Sequence, residues 1–204
     1  MKKFVGTVLA AVGLVVWAQA ASAQESGATA ARAEVSVFPG GGILFTESSS
    51  ATDFTNYALG GSFTYNFNRF VGVEGEGGAS FGVNQHLGQQ TGSLSVRPPN
   101  TLAYSGNAVV YPAGNNHAIV PYATGGIGGL TMFERAAVGV NDTTTFLTGN
   151  VGGGVKYYFN NRWGVRGDYR FFAVRSKDDA PSFVGQETRY GHRVYGGIVV
   201  NVLQ

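Results

Sequence analysis

The chain has 204 residues and no cysteine, which excludes thiolate nucleophiles, cysteine-based metal sites and a disulfide scaffold. It carries 14 Lys and Arg residues against 12 Asp and Glu residues. Lys2 and Lys3 belong to the N-terminal leader described next, so the rest of the chain holds 12 residues of each sign. This balance gives no reason to expect nucleic acid as a partner.

The first 23 residues predict a cleaved secretory signal peptide. The pair Lys2-Lys3 precedes an uncharged apolar run over residues 4–18, and Ala21-Ser22-Ala23 forms a small-residue cleavage site. A membrane-spanning anchor is the alternative, but the apolar run is short for a bilayer. We therefore expect export from the cytoplasm with cleavage after Ala23. Residues 24–32, which follow, are mostly small and predict a disordered lead-in.

Glycine is the most unusual feature of the composition. The chain has 32 glycines, where average usage gives roughly 14 for this length. Glycine weakens helices, whereas in strands it marks bends and places where the backbone or side chains crowd closely. A small, tightly curved barrel needs many such positions. Aromatic and charged residues make up 13% each, a pairing that is natural for a barrel surrounded by lipid.

Three tight turns divide the chain after the lead-in. They lie at Asn68-Arg69, at residues 113–116 and at residues 160–162. Their centres, Asn68, Gly114 and Asn161, are 46 and 47 residues apart, which produces four units of nearly equal length. Each unit has the pattern strand, polar loop, strand. Four units predict an all-β, eight-stranded antiparallel barrel over residues 33–204.

Four longer polar segments lie between these turns. They are Thr46–Asn56, Val83–Asn100, Arg135–Thr143 and Arg175–Glu187, and they are rich in Ser, Thr, Asn, Gln, Gly and Asp. Short turns at one end of a barrel and long loops at the other are typical of outer-membrane barrels.

Alternation along the predicted strands separates charged from apolar side chains. In the strand over residues 163–174, Arg166, Asp168 and Arg170 share one face, and the strands over residues 57–67, 70–81 and 188–202 alternate similarly. An eight-stranded barrel is wide enough only for its own side chains, so we expect no open channel. We predict a structural salt-bridge network in the lumen, formed by Glu34, Glu74, Glu76, Asp168, Lys156, Arg166, Arg170 and Arg193.

Alternation alone does not say which face is outside, because a soluble lipocalin-like barrel has the same pattern turned inside out. Two features favour the membrane. The apolar faces are broken by Gly and Ala, which line a ligand cavity poorly but cost little against lipid. Aromatic side chains also cluster near the tight turns, as in a membrane-interface girdle. The predicted girdle is Tyr65, Phe67, Phe70, Tyr122, Tyr157, Phe159 and Trp163.

Three segments carry a resemblance to a known family: PYATGGIGG at 121–129, GGGVKYYF at 152–159 and WGVRGDYR at 163–170. They resemble strands five to seven of small outer-membrane proteins of the OmpA/OmpX-like β-barrel superfamily. The resemblance covers Ala33 to Leu203 and implies an eight-stranded up-and-down transmembrane β-barrel in a Gram-negative outer membrane. It implies little about activity. We expect no C-terminal peptidoglycan-binding domain, so a cell-wall tether is not implied.

Other chemical motifs are weak. His86, His117 and His192 are too dispersed for a metal cluster. The glycine run at 125–129 is followed by strand residues rather than the helix that a dinucleotide site needs. Asp178-Asp179 offers too few ligands to predict a cation site. We expect no catalytic residues, cofactor or metal.

Three function classes stay open: a structural or barrier protein, a binding or adhesion module that uses its extracellular loops, and a small porin-like pore. A lipid-modifying enzyme is a minor alternative, because His192 is expected to face outward but has no serine at the neighbouring alternate positions. The expected partners are outer-membrane lipid, the barrel-assembly machinery and an extracellular ligand of the loops.

Overall fold

The computed structural model describes residues 30–46, 54–82, 85–89, 92–96, 100–134, 143–176 and 188–204. The predicted signal peptide and its cleavage site lie outside the described residues. No helix in the described segments is long and apolar enough to cross a membrane. The strands are β1 Ala33–Thr46, β2 Phe54–Asn66, β3 Val71–Gly82, β4 Gln85–Gln89, β5 Gly92–Val96, β6 Thr101–Val110, β7 Ile119–Met132, β8 Thr144–Tyr158, β9 Trp163–Val174 and β10 Arg189–Leu203.

Eight of these strands close into one barrel, in the order β1–β2–β3–β6–β7–β8–β9–β10, with β10 paired back to β1. All eight pairings are antiparallel. The predicted eight-stranded antiparallel up-and-down barrel is therefore confirmed. Closure matters because lipid offers no hydrogen-bond partners to the backbone N–H and C=O groups of an open strand edge.

The remaining two strands form a separate hairpin inside the predicted loop Val83–Asn100. β4 and β5 pair antiparallel as their own two-stranded sheet, with Leu87 opposite Leu94. The segment predicted as a loop thus contains a pair of short strands outside the barrel. Each strand has only five residues, so its alternation is too short to stand out from a loop sequence.

The predicted alternation is confirmed, with the charged faces inside. In β9, Trp163, Val165 and Tyr169 are exposed on the outer wall, whereas Arg166 and Arg170 are buried in the lumen. The same alternation runs along β3, where the two glutamates are buried and the valines are exposed. A lipocalin-like barrel would place the apolar faces inside, so this arrangement excludes it.

Strand β1 has an irregularity around Pro39. The register of β1 with β10 shifts between Val37 and Gly40, and its register with β2 shifts between Phe38 and Gly42. Proline lacks the N–H group that a regular ladder requires, so a bulge at this point is expected. The Tyr57 hydroxyl donates a hydrogen bond to the backbone oxygen of Pro39. The bulge is thereby tied to the neighbouring strand.

The three predicted turns are confirmed, and two are built in the same way. Oδ1 of Asn68 accepts hydrogen bonds from the backbone N–H groups two and three residues later, at 2.8 and 3.0 Å. Oδ1 of Asn160 does the same at 2.9 and 2.8 Å. These are Asx turns, in which a short side chain replaces a backbone acceptor. The middle turn instead uses Gly114, whose φ of 83° favours glycine.

The last residues of the predicted lead-in are attached to the turn end of the barrel. The backbone oxygen of Ala31 accepts hydrogen bonds from Nδ2 of Asn66 at 2.8 Å and from Nδ2 of Asn115 at 2.9 Å. The N–H group of Arg32 donates to the oxygen of Leu203 at 2.8 Å. Buried amide groups require partners. Ala31 and Arg32, which precede β1, are therefore attached to the barrel at this end.

Candidate functional site

The lumen is the candidate functional site, because it brings together all eight charged residues predicted for it. Seven of these side chains are at most 2% exposed, and the eighth, Arg193, is 11% exposed. Each takes part in at least one ion pair. The residues are Glu34, Glu74, Glu76, Asp168, Lys156, Arg166, Arg170 and Arg193.

Glu74 lies at the centre of this ion-pair network. Its Oε2 is 2.5 Å from Nη1 of Arg166, and its Oε1 is 2.5 Å from Nη2 of Arg170. The Thr64 hydroxyl also donates to Oε2 at 3.1 Å. Both carboxylate oxygens are therefore used, by cations that reach across from the far wall of the barrel. Charge-assisted bonds of this kind are the strong ones in a dry interior.

Asp168 joins the same two arginines from their own strand. Its Oδ2 is 2.8 Å from Nη2 of Arg166, and its Oδ1 is 3.0 Å from Nε of Arg170. The Tyr122 hydroxyl donates to Oδ2 at 2.6 Å and accepts from Nε of Arg166 at 2.7 Å. Side chains two residues apart on a strand lie on the same face. The motif Arg-x-Asp-x-Arg in β9 thus supplies three of the eight charged residues of the network.

Three further ion pairs extend the network toward the ends of the barrel. On the loop side, Glu76 contacts Arg193 and also lies 2.9 Å from Nη2 of Arg170. On the turn side, Lys156 donates to Glu34 and to the Tyr111 hydroxyl at 3.0 Å. Four acids thus face four bases, and the network carries no net charge. A balanced set is the condition under which buried charges are tolerated.

Glycines in the wall make room for these side chains. Asn107 of β6 and Asn150 of β8 flank Gly126 of β7 in register. Nδ2 of Asn150 donates to Oδ1 of Asn107 at 2.9 Å, across the space above that glycine. A Cβ at Gly126 would overlap both the Asn107 side chain and the backbone oxygen of Gly106. The abundance of glycine is therefore partly a requirement of the crowded lumen.

Apolar layers cover the network on both sides. The loop-side layer contains Phe38, Ala58, Leu130, Met132, Phe146, Val174 and Tyr195. The turn-side layer contains Val109, Tyr111, Val120, Tyr122, Tyr158 and Val199. A cavity of about 30 Å³ beside Arg193 and Asn150 has room for water only. Taken together, the described residues fill the lumen.

The aromatic residues near the turns lie as predicted, with one exception. Phe67, Phe70, Tyr157, Phe159 and Trp163 are exposed, and Tyr65 is half-buried. The same ring contact occurs beside both Asx turns. Tyr65 packs edge-on against Phe67 with ring centroids 5.6 Å apart, and Tyr157 packs edge-on against Phe159 with centroids 5.3 Å apart. These rings form two clusters at the turn end of the barrel, one beside the first turn and one beside the third.

The exception is Tyr122, for which the girdle prediction is wrong. Its side chain is only 5% exposed and belongs to the lumen network. The reason is its position in β7, where Val120 and Thr124 on the same face are also buried. Tyr111, which binds Lys156, was also missed by the sequence analysis. The alternation of β7 was the available signal for Tyr122.

The histidines are dispersed, as the sequence indicates. Nδ1 of His192 lies 2.7 Å from the Tyr169 hydroxyl on the outer wall, and Nε2 of His117 lies 3.0 Å from the oxygen of Ala113 in a turn. His86 belongs to β4, but its side chain lies outside the described part of the structure, as do Asp178 and Asp179. Within the described residues, no three His, Cys, Asp or Glu side chains are placed to hold a metal ion.

The sequence matches the family described as "Outer membrane protein beta-barrel domain" over residues 7–191. The chain belongs to this family. Its closed barrel, with charged residues inside and apolar residues outside, has the architecture expected of an outer-membrane barrel. The protein is thus an integral β-barrel protein of the outer membrane.

Two solved structures have a similar fold. Neisserial surface protein A has 11% sequence identity and a TM-score of 0.58, over 85% of this chain and 99% of that chain. The N-terminal barrel of Pseudomonas aeruginosa OprF has 12% identity and a TM-score of 0.51, over 84% and 98% of the two chains. No curated protein is significantly similar in sequence. At these identities the likeness shows the fold alone.

Proposed function

We propose that the protein is a closed, non-conducting barrel that holds its long loops at the cell surface. The observation that carries this proposal is the filled lumen, in which paired charges lie between two apolar layers. An ion that crossed the barrel would have to displace pairs such as Glu74–Arg166, whose side chains are at most 1% exposed. Separating a buried pair leaves uncompensated charges and is strongly unfavourable. This argument favours the barrier class over the porin-like pore.

Conductance across planar bilayers tests the proposal. We expect the refolded wild-type protein to show almost no ion current, even when heat-modifiable gel mobility shows that the barrel is folded. Reproducible channel openings of one fixed conductance in such preparations would contradict a closed lumen. Glu74→Gln serves as a comparison, because it breaks the centre of the network and should raise any leak that passes through it.

We further propose that the surface role is recognition by the loops Thr46–Asn56, Val83–Asn100 and Arg175–Glu187. The hairpin β4–β5 favours the second of these as the main element, because paired strands present a fixed backbone to a ligand. Replacing residues 85–96 by a glycine-serine linker of equal length should abolish adhesion to cells or matrix while leaving barrel assembly intact. Equal adhesion by the two forms would exclude the hairpin.

We propose no enzymatic activity. A lipid hydrolase of the kind considered above needs a serine beside its histidine, whereas His192 contacts the Tyr169 hydroxyl and packs at a tilted angle against Phe171. Incubation with radiolabelled outer-membrane lipid should release no fatty acid. The barrel-assembly machinery and outer-membrane lipid stay the proposed partners, together with a ligand of the loops. Cleavage of the signal peptide after Ala23 predicts that N-terminal sequencing of the exported protein starts at Gln24.

A further inference from the structure

The outer wall has a recess close to the loop ends of β7, β8 and β9. Its volume is about 270 Å³. The walls are mainly apolar, and one cation lies at the edge. The lining residues are Ile127, Leu147, Thr148, Gly149, Ala173, Arg175 and Thr188.

Small residues between larger ones produce this recess. Gly149 lies opposite Ile127 of β7 and opposite Ala173 of β9, so two small residues adjoin in one row across the strands. A Cβ placed on Gly149 would meet no atom within 4 Å. Ile127 and Leu147, by contrast, stand out from the wall and are 72% and 56% exposed. The recess is therefore a narrow apolar groove on the lipid-facing surface.

The cation sits where the groove meets the loop end of the barrel. Arg175 follows the last residue of β9, and its N–H group donates to the oxygen of Leu147 at 2.9 Å. This backbone bond extends the β8–β9 pairing and fixes the place from which the exposed guanidinium projects. Long loops lie on the extracellular side of such barrels. Arg175 is thus at the depth of the outer-leaflet headgroups.

We propose that this recess binds a single phosphorylated lipid of the outer leaflet, with one acyl chain in the groove and its phosphate on Arg175. The apolar walls match an acyl chain, and guanidinium binds phosphate oxygens with two parallel hydrogen bonds. A groove only two strands wide, about 10 Å, suits a chain rather than a second barrel. The proposal rests on the outer-membrane location.

A stacked aromatic pair lies next to the groove on the β10 side. Tyr190 of β10 lies opposite Ala173. Its ring stacks on that of Phe171, with centroids 5.7 Å apart and an interplanar angle of 14°. Flat, stacked rings present a smooth wall to a hydrocarbon chain and are favoured at the membrane interface. The recess therefore has small residues at its base, aliphatic sides and a cation at one end, with the aromatic pair next to it.

Photo-crosslinking tests the assignment. The protein is reconstituted in phosphatidylcholine vesicles that contain a trace of dioleoyl phosphatidic acid with a diazirine in one acyl chain. Mass spectrometry should place the cross-links on β8 and β9, around Gly149 and Ala173. Diacylglycerol with the same diazirine chain is the phosphate-free control. Arg175→Gln should lower labelling by phosphatidic acid at least about tenfold, because each charge-assisted hydrogen bond of the lost guanidinium contributes about that factor, and should leave labelling by diacylglycerol unchanged.

Matched variants separate the recess from general effects on the barrel. Gly149→Leu fills the groove and should lower labelling, and Ala173→Leu serves the same purpose if the first variant does not insert. Gly167→Leu, at an equally open outer position, and Arg162→Gln, at the opposite rim, should have no effect. Labelling spread evenly around the wall, or equal labelling by both probes, would overturn the proposal. Failure of the wild type to insert, judged by heat-modifiable mobility, would instead count against the membrane barrel itself.

Discussion

Tyr122 on β7 donates a hydrogen bond of 2.6 Å to Asp168 on β9, although β8 lies between these two strands. The β8 residue in register with both is Gly154. A Cβ on Gly154 would lie 2.6 Å from the Tyr122 hydroxyl, so the missing side chain is what lets the two groups meet. Large residues on alternate strands thus contact one another over a glycine, and the lumen network depends on where glycine is placed.

Gly154→Ala tests this dependence. The added Cβ would also overlap the backbone oxygen of Gly167, which cannot move without disturbing the strand pairing. Overpacking of this kind destabilises by about 1–3 kcal/mol or more. The free energy of unfolding, measured by urea titration in phospholipid vesicles, should fall by that amount. Gly167→Ala is the control: its Cβ meets no atom within 4 Å, and its stability should match the wild type.

Glu74→Gln should destabilise the barrel more than any exposed charge change. Removing this carboxylate leaves Arg166 and Arg170 short of counter-charge in a buried site. Breaking a buried pair by losing one partner costs about 3–5 kcal/mol. The measurement is the urea midpoint of the refolded protein. Glu134→Gln, at an exposed position beyond β7, controls for the loss of a carboxylate and should shift the midpoint little. Similar shifts for both variants would mean that the network contributes little.

Tyr122→Phe keeps the ring and removes the hydroxyl. Asp168 would lose a donor and Nε of Arg166 an acceptor, both in the buried network. An unsatisfied buried polar group costs about 1–3 kcal/mol. Tyr157→Phe removes a hydroxyl from an exposed side chain on the outer surface. It should change the free energy of unfolding by much less when both variants are unfolded in urea. Equal free energies of unfolding for the two variants would mean that the hydrogen bonds of Tyr122 in the lumen do not stabilise the barrel.

Asn68→Ala should weaken the first tight turn. The change removes two hydrogen bonds of 2.8 and 3.0 Å to backbone N–H groups, at a site where water replaces part of the loss. We expect a destabilisation of about 1 kcal/mol. Asn68→Asp keeps an acceptor oxygen in the same place and should restore most of the stability. Slower refolding into vesicles, followed by gel mobility, would accompany the alanine change; equal effects of Ala and Asp would rule out the Asx turn as the cause.

The sequence predicts the faces of most strands because the two environments differ sharply. Consecutive residues of a strand point to the lumen and to the lipid in turn. The side-chain types of Val165 and Arg166 therefore reveal the orientation of β9. Strand β7 offers less contrast. A tyrosine suits a girdle as well as a lumen, and what decides for Tyr122 is Asp168, which lies 46 residues further along the chain.

The sequence also does not show which residues pair across the lumen, because each pair joins distant parts of the chain. Lys156 meets Glu34 across 122 residues of sequence, and their contact depends on the register of every strand between them. Parity predicts that both point inward but does not predict which acid meets which base. The hairpin β4–β5 was missed for a different reason, since strands of five residues are too short for their alternation to stand out from a loop sequence.

The seam between β1 and β10 joins the earliest and the latest parts of the barrel to leave the ribosome. During most of the export of the chain, the edge of β1 that pairs with β10 therefore has no partner strand. Such an edge, apolar on one side, would pair with any other exposed strand it met. This strand edge therefore has to be protected while the polypeptide crosses the periplasm. We expect the pairing of β1 with β10 to coincide with insertion into the bilayer. Partial insertion would leave backbone amide groups without hydrogen-bond partners in the hydrocarbon core of the membrane.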